Sequence, residues 1–227
     1  MKLQMKLMVV MLGAWLMLTG CGGSEGNSWL SVDSDGVTSV QSAALSASLA
    51  TLPLESLSTA ERDSLTFMRE EEKLAHDVYA QFDAQWGTSV RIFGKIAASE
   101  ATHTDAVRQL LLRYAVTDPA ADKASGEFVN QSLQQLYANL LSQGGTSLVE
   151  ALKVGAAIEE IDMLDIDAAM LMVDNQDIAL VYQNLLKGSR NHLRSFVSTL
   201  AAHGVTYVPQ HLAQADYNAI IGSPIER

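Results

Sequence analysis

The chain has 227 residues, 48% of them hydrophobic, which suffices for one core of ordinary size. Three Trp, five Phe, six Tyr and only four Pro favour helices over sheets, so an all-α domain is expected. Fifteen basic against 26 acidic residues give a net charge of −11, and without residues 1–20, which hold Lys2 and Lys6 and no acid, 13 against 26 leave −13; nucleic acid and anionic lipid headgroups are excluded as partners.

Residues 1–20 have the parts of an export signal: Lys2 and Lys6, the apolar run Leu7 to Leu18, then small residues before Cys21. The run falls short of the roughly 20 residues that span a bilayer. Leu18-Thr19-Gly20-Cys21 resembles the lipobox of bacterial lipoproteins. That resemblance implies lipidation of Cys21 as the new N-terminus and a place in the cell envelope, periplasm-facing at the outer membrane. Cys21 is the only cysteine, so disulfides and Cys-based metal sites are excluded and any metal must sit on Glu, Asp and His.

Residues 21–57, rich in Ser, Gly, Ala and Val, are expected to be a lipid-anchored flexible tether. Asp33-Ser34-Asp35-Gly36 has the start of a calcium loop but lacks the downstream Glu. The helical domain is placed at 58–227.

Ser58 and Glu61 form a capping box opening a helix over 59–86. Leu65, Met68, Glu72, Ala75, Tyr79, Phe82 and Trp86 alternate in steps of three and four, so Glu72 is the one charge in an apolar seam. Its neighbours Glu70 and Lys73 are expected to be solvated. After a break at Gly87 to Ser89, a second helix carries Phe93, Ile96, Glu100, His103, Val107, Leu110 and Tyr114 in the same alternation. A Glu and a His three residues apart share a face and can coordinate one ion.

About 30 residues follow, including a short helix from about Asn130 to Gln143, a length that suits a crossover along a bundle. Ser147 and Glu150 form another capping box, and the third long helix places Leu148, Leu152, Gly155, Glu159 and Asp162 on one stripe. Glu160 lies about 100° around the helix, so only one of the two acids is well aimed, with Asp162 able to assist Glu159. Asp165 to Val173 reads as a short helical connector with solvated acids. Asp174 is expected to cap the last long helix, with Asp177 at its positive end; its seam is Ile178, Tyr182, Leu185, Ser189, His192, Phe196 and Thr199. His76, His203 and His211 lie off the seams.

An unpaired carboxylate facing a core costs several kcal/mol. Glu72, Glu100, His103, Glu159 and His192 on four helices therefore point to a metal site, with Asp162 or Glu160 as further candidates. This ligand order resembles the ferritin-like superfamily, whose members hold two metal ions with Glu, Glu-x-x-His, Glu and Glu-x-x-His. Glu72-Lys73-Leu74-Ala75-His76-Asp77-Val78-Tyr79 is similar to the first-helix motif of rubrerythrins. Phe67 to Tyr79, Ile92 to Val107, Ala151 to Asp162 and Asn184 to Phe196 resemble more closely a ferritin-like family of bacteria and archaea, domain of unknown function 2202.

The resemblance implies a four-helix bundle with a long crossover between its second and third helices, and a centre of di-iron type. Ser189 stands where the superfamily pattern has Glu, so a mononuclear or asymmetric centre stays open. Manganese and zinc also suit the donor set. Oxidase, peroxidase or ferroxidase activity follows, with O₂, peroxide or ferrous iron as substrate; no rubredoxin-like Cys pairs are present, so electrons need an external donor. The alternatives are a non-catalytic binding or storage protein and a metal-free structural lipoprotein.

Overall fold

The computed structural model describes residues 29–227. The export signal and Cys21 lie outside the described residues. Two strands, β1 (Leu30–Val32) and β2 (Thr38–Val40), precede α1 (Ser42–Ala50), α2 (Thr59–Trp86), α3 (Ile92–Arg113), α4 (Gln131–Gly144), α5 (Leu148–Met170), α6 (Gln176–Ala202) and α7 (Gln214–Ile221). No described helix is long and apolar enough to cross a membrane.

The protein is an all-α bundle of α2, α3, α5 and α6. Two apolar clusters fill it. Val78, Phe82, Phe93, Ile96, Leu152 and Phe196 belong to one, and Leu65, Met68, Leu110, Ile166, Ile178 and Leu185 to the other. Reading these residues along each helix gives the directions: α2 and α6 run from the second cluster to the first, and α3 and α5 run back. The connection from α3 to α5 therefore travels the length of the bundle, with Leu133 and Leu140 of α4 buried on the way. Between the clusters lies a layer of charged side chains.

The capping box at Ser58 and Glu61 is present. At Ser147 only half of one forms, because the side chain accepts from Glu150 N while the Glu150 carboxylate pairs with Lys153. The expected connector after Asp165 is not separate: α5 continues to Met170, since neither Gly nor Pro interrupts it. Nor does Asp174 cap α6. Asn175 is the N-cap, and the free backbone N–H groups of Asp174 and Asn175 reach the Glu61 carboxylate at 3.2 and 3.1 Å. Asp177 in the first turn is buried and paired with Arg113 at 2.6 Å.

The described part of the expected tether is folded. β1 and β2 pair antiparallel, Leu30 opposite Val40 and Val32 opposite Thr38, around a turn in which Asp33 Oδ1 accepts from Asp35 N and Val37 N and Gly36 takes φ +86°. The turn that reads as a truncated calcium loop is thus closed by its own backbone. Trp29, Leu45 and Leu49 are buried in the second cluster, Val40 N donates to Thr102 Oγ1 at 3.0 Å, and Arg113 holds the carbonyls of Leu52 and Pro53. Ser- and Ala-rich composition conceals this, because two short strands and a nine-residue helix have too few apolar positions to set a period.

Candidate metal centre

Each bundle helix delivers its polar seam residue into the layer between the clusters. Glu72, Glu100, His103, Glu159 and His192 are at most 3% exposed. The Glu100 carboxylate sits in the middle. Its Oε2 is 2.9 Å from His103 Nδ1 and its Oε1 is 2.8 Å from His192 Nδ1. Glu72 Oε2 lies 3.6 Å from His103 Nδ1, and Glu159 Oε2 lies 3.5 Å from His192 Nδ1. Two triads result, Glu72–Glu100–His103 and Glu100–Glu159–His192, each with its ligand atoms within 4.8 Å of one another. The two imidazoles stack with centroids 5.5 Å apart.

The backs of both rings are held by two hydroxyls. Ser99 Oγ donates to the Thr38 carbonyl at 2.6 Å, so it can only accept from its other neighbours, Thr38 Oγ1 at 2.9 Å and His192 Nε2 at 3.0 Å. Thr38 has then given its proton to Ser99 and accepts from His103 Nε2 at 2.7 Å. This assigns an Nε2–H to both imidazoles and leaves Nδ1 of each for a cation or a second proton. Gly188 makes room for the arrangement, since a Cβ there would stand 2.6 Å from His103 Cε1 and 3.0 Å from Thr38 Oγ1.

Charge in this layer is unbalanced for a dry interior. Burial works against protonation of the imidazoles, but the carboxylates outweigh it, holding His103 well above its ordinary value and His192 at about 9. Burial pushes Glu72 up to about 8, with His103 opposing. For Glu100 burial is overcome by the two imidazoles, which hold it well below the carboxylate range. Glu72 Oε1 and His192 Nδ1 are buried without a hydrogen bond, the latter despite its 2.8 Å contact with Glu100, so the geometry there is that of an ion pair off the donor axis. Polar atoms orphaned in this way, among three carboxylates and two imidazole nitrogens, make a donor set that could hold a metal ion.

Tyr79 donates to Glu159 Oε1 at 2.6 Å, leaving Oε2 toward His192. Tyr182 donates or accepts only with Ser64 at 2.7 Å and packs in the second cluster. Asp162 is buried nearby, its Oδ2 accepting from Ser189 and its Oδ1 unpaired. The serine that departs from Glu-x-x-His thus supports a carboxylate from the neighbouring helix.

Glu160 takes no part. It points away and accepts from Tyr207 Oη, Gln210 N, His211 N and Leu212 N. Glu70 and Lys73 are not solvated as expected: Glu70 accepts from Val129 N and Asn130 N, and Lys73 pairs with Asp77 and the Ala124 carbonyl. Both fasten the crossover to α2. Of the acids expected in a solvated cap at the end of α5, Asp167 is exposed and Asp165 half-buried, whereas Asp162 is buried, 7% exposed. Thr38, Ser99 and Glu71 were not singled out from sequence; the only signal for Ser99 is its place one turn before His103.

The family model described as "Uncharacterized protein domain (DUF2202)" matches residues 61–224. The uncharacterized protein MJ0754 of Methanocaldococcus jannaschii is 45% identical over 179 residues, covering 79% of this chain and 96% of that protein. The crystal structure of MJ0754 superposes with a TM-score of 0.75, covering 77% of this chain and 99% of that one.

Proposed function

The chain belongs to the DUF2202 family, and from its buried cluster we propose that it is a ferritin-like metal-binding protein with a two-ion centre of iron type, an oxidase, peroxidase or ferroxidase held at the cell envelope through lipidated Cys21. The observation that carries the reading is Glu100, one carboxylate shared by two Glu–Glu–His triads whose imidazoles both turn Nδ1 inward.

Glu72, Glu100 and His103 would hold one ion, and Glu100, Glu159 and His192 the other. Oxygen and imidazole donors suit iron and manganese, and zinc by affinity. Two ferrous ions held there would make two electrons available to dioxygen or peroxide. The protein's own part is positional. Thr38 and Ser99 fix the imidazole tautomers, and Tyr79 fixes the Glu159 rotamer. The apolar clusters on either side shield the centre from bulk water. Without Cys pairs in the chain, ferrous iron itself or a separate reductant supplies the electrons.

Elemental analysis and ferrous titration with an oxygen electrode test this. Two irons per chain, taken up with oxygen consumption and lost in a Glu72→Ala/His103→Ala variant that keeps its helicity, are expected. Ferrous loading without oxygen uptake leaves a binding or storage protein. A chain that holds no metal and whose Tm ignores iron, manganese and zinc overturns the reading.

A further inference from the structure

Two buried acids outside the two triads keep an unpartnered oxygen. Glu71, on α2 beside Glu72, is 5% exposed, and its Oε2 has no hydrogen-bond partner. Asp162 and Asp165 face it from α5, with Asp165 within hydrogen-bonding reach. Asp162 Oδ1 is likewise buried and unpartnered, with burial and the charges of Glu72 and Glu159 pushing that carboxyl up. Anions stacked against anions in a dry interior need a cation or protons between them.

The placement of these acids is ordered. Glu159, Asp162 and Asp165 are three residues apart, so they follow one another in steps of about 4.5 Å along the α5 axis, each turned about 60° from the one before. The line starts at a surface cavity of about 430 Å³, walled by Ser64, Phe67 and Met68 of α2 and by Asp165, Ala169 and Met172. It ends at Glu159 in the centre. Because α2 runs opposite to α5, a path inward from the cavity meets Met68, then Glu71, then Glu72 on the facing helix.

We propose that Asp165, Asp162 and Glu71 form an uptake route for divalent cations, with Glu71 and Asp162 holding a transit position between the surface cavity and the centre. The route rests on the metal reading of the centre. Among the described residues only the two triads bring three ligand atoms within 4.8 Å, so the three acids pass an ion along without clasping it as tightly as the centre does. Weak binding is what a transit position requires, since an ion must leave it as readily as it arrives.

Cobalt(II), whose absorption reports coordination, tests the route in anaerobic stopped-flow, with final content by elemental analysis. Asp165→Asn and Glu71→Gln are each expected to slow loading about tenfold or more, while the final stoichiometry stays that of the wild type. Asp122→Asn, an exposed change of equal charge on the crossover, is expected to load at the wild-type rate. Loading of Asp165→Asn and Glu71→Gln at the wild-type rate overturns the route and leaves the centre intact. Equal slowing by Asp122→Asn also overturns it, in favour of overall charge. A wild-type chain that takes up no cobalt, iron or manganese overturns the centre itself. If Glu71→Gln does not fold, the half-exposed Asp165→Asn decides alone.

Discussion

Glu159 and Glu160 are adjacent on α5 and both are buried, yet one faces acids and the other only donors. Glu160 satisfies the first N–H groups of a loop over Gln210 to Leu212, as Glu61 satisfies Asp174 and Asn175 and Glu70 satisfies Val129 and Asn130. These carboxylates are rivets: each holds a loop to a helix and is paid in hydrogen bonds. Glu72, Glu100 and Glu159 receive no backbone N–H and meet imidazoles, a tyrosine or one another. Burial alone does not separate a structural acid from a ligand; the identity of the partners does.

The largest effects come from exchanging these roles. Glu100→Gln takes the anion from both triads at once, so metal affinity is expected to fall at least a hundredfold, by roughly 3 kcal/mol or more, with helicity kept. Glu160→Gln turns an amide NH₂ toward backbone donors and is expected to cost about 2–4 kcal/mol, lowering Tm by roughly 10 °C. Metal per folded chain should stay unchanged in Glu160→Gln. Isothermal titration and thermal melts of both variants measure the exchange, and a Glu160→Gln protein that melts normally but loses metal would invert the assignment.

The two classes of acid were unequally legible in the sequence. Phase along α5 is enough to place Glu159 inward and Glu160 aside, because a helix turns about 100° per residue. What Glu160 holds is invisible, since its partners lie 47 to 52 residues later in a segment without periodicity. Glu71 sits off the apolar stripe of α2 and is buried only because α5 covers that flank with two acids of its own. Thr38 is 61 and 65 residues from Ser99 and His103, in a stretch whose composition is that of a linker. Helix limits set by Ser58, Glu61 and Ser147 were readable because capping is local. The hairpin was not, because its stability comes from α3 and α6.

Protonation sharpens the contrast, for Glu61 responds to pH with the opposite sign to Glu72 and His192. Burial opposes ionisation of Glu61, but hydrogen bonds from Ser58, Asn175 and Asp174 win and hold it below 4.5; its stabilisation is present above that value and is lost as pH falls through the folded pKa. Glu72 titrates at about 8 instead of 4.5. His192 titrates at about 9 instead of 6.5. Both bind protons more tightly in the folded chain, so their contribution is full below the unfolded values and is lost as pH rises through the folded ones. Chelator-treated protein is therefore expected to lose several degrees of Tm between about 6.5 and about 9. Saturating manganese should abolish that fall, because a bound cation replaces the protons and binds more tightly as they leave. A metal-free Tm that is flat or rises over this range would mean that the centre does not store protons.

The smallest expected effect tests whether the hairpin belongs to the centre or only covers it. Thr38→Val keeps the shape of the side chain and removes the hydroxyl, leaving His103 Nε2–H with only the longer 3.5 Å contact to Ser99 Oγ and Ser99 without one of its donors. If Thr38 merely packs, the variant loses stability by about 1–2 kcal/mol and binds metal as before. If it orients the imidazole, metal affinity falls about tenfold at pH values where His103 must present Nδ1 to the ion, and the site bearing His103 weakens more than the site bearing His192, whose hydroxyl partner is Ser99. Stepwise manganese titration followed by electron paramagnetic resonance separates the two sites. Thr38→Ser, which restores the hydroxyl, should recover both affinities, and unequal weakening cured by that serine is an outcome that a purely packing role for β2 cannot produce.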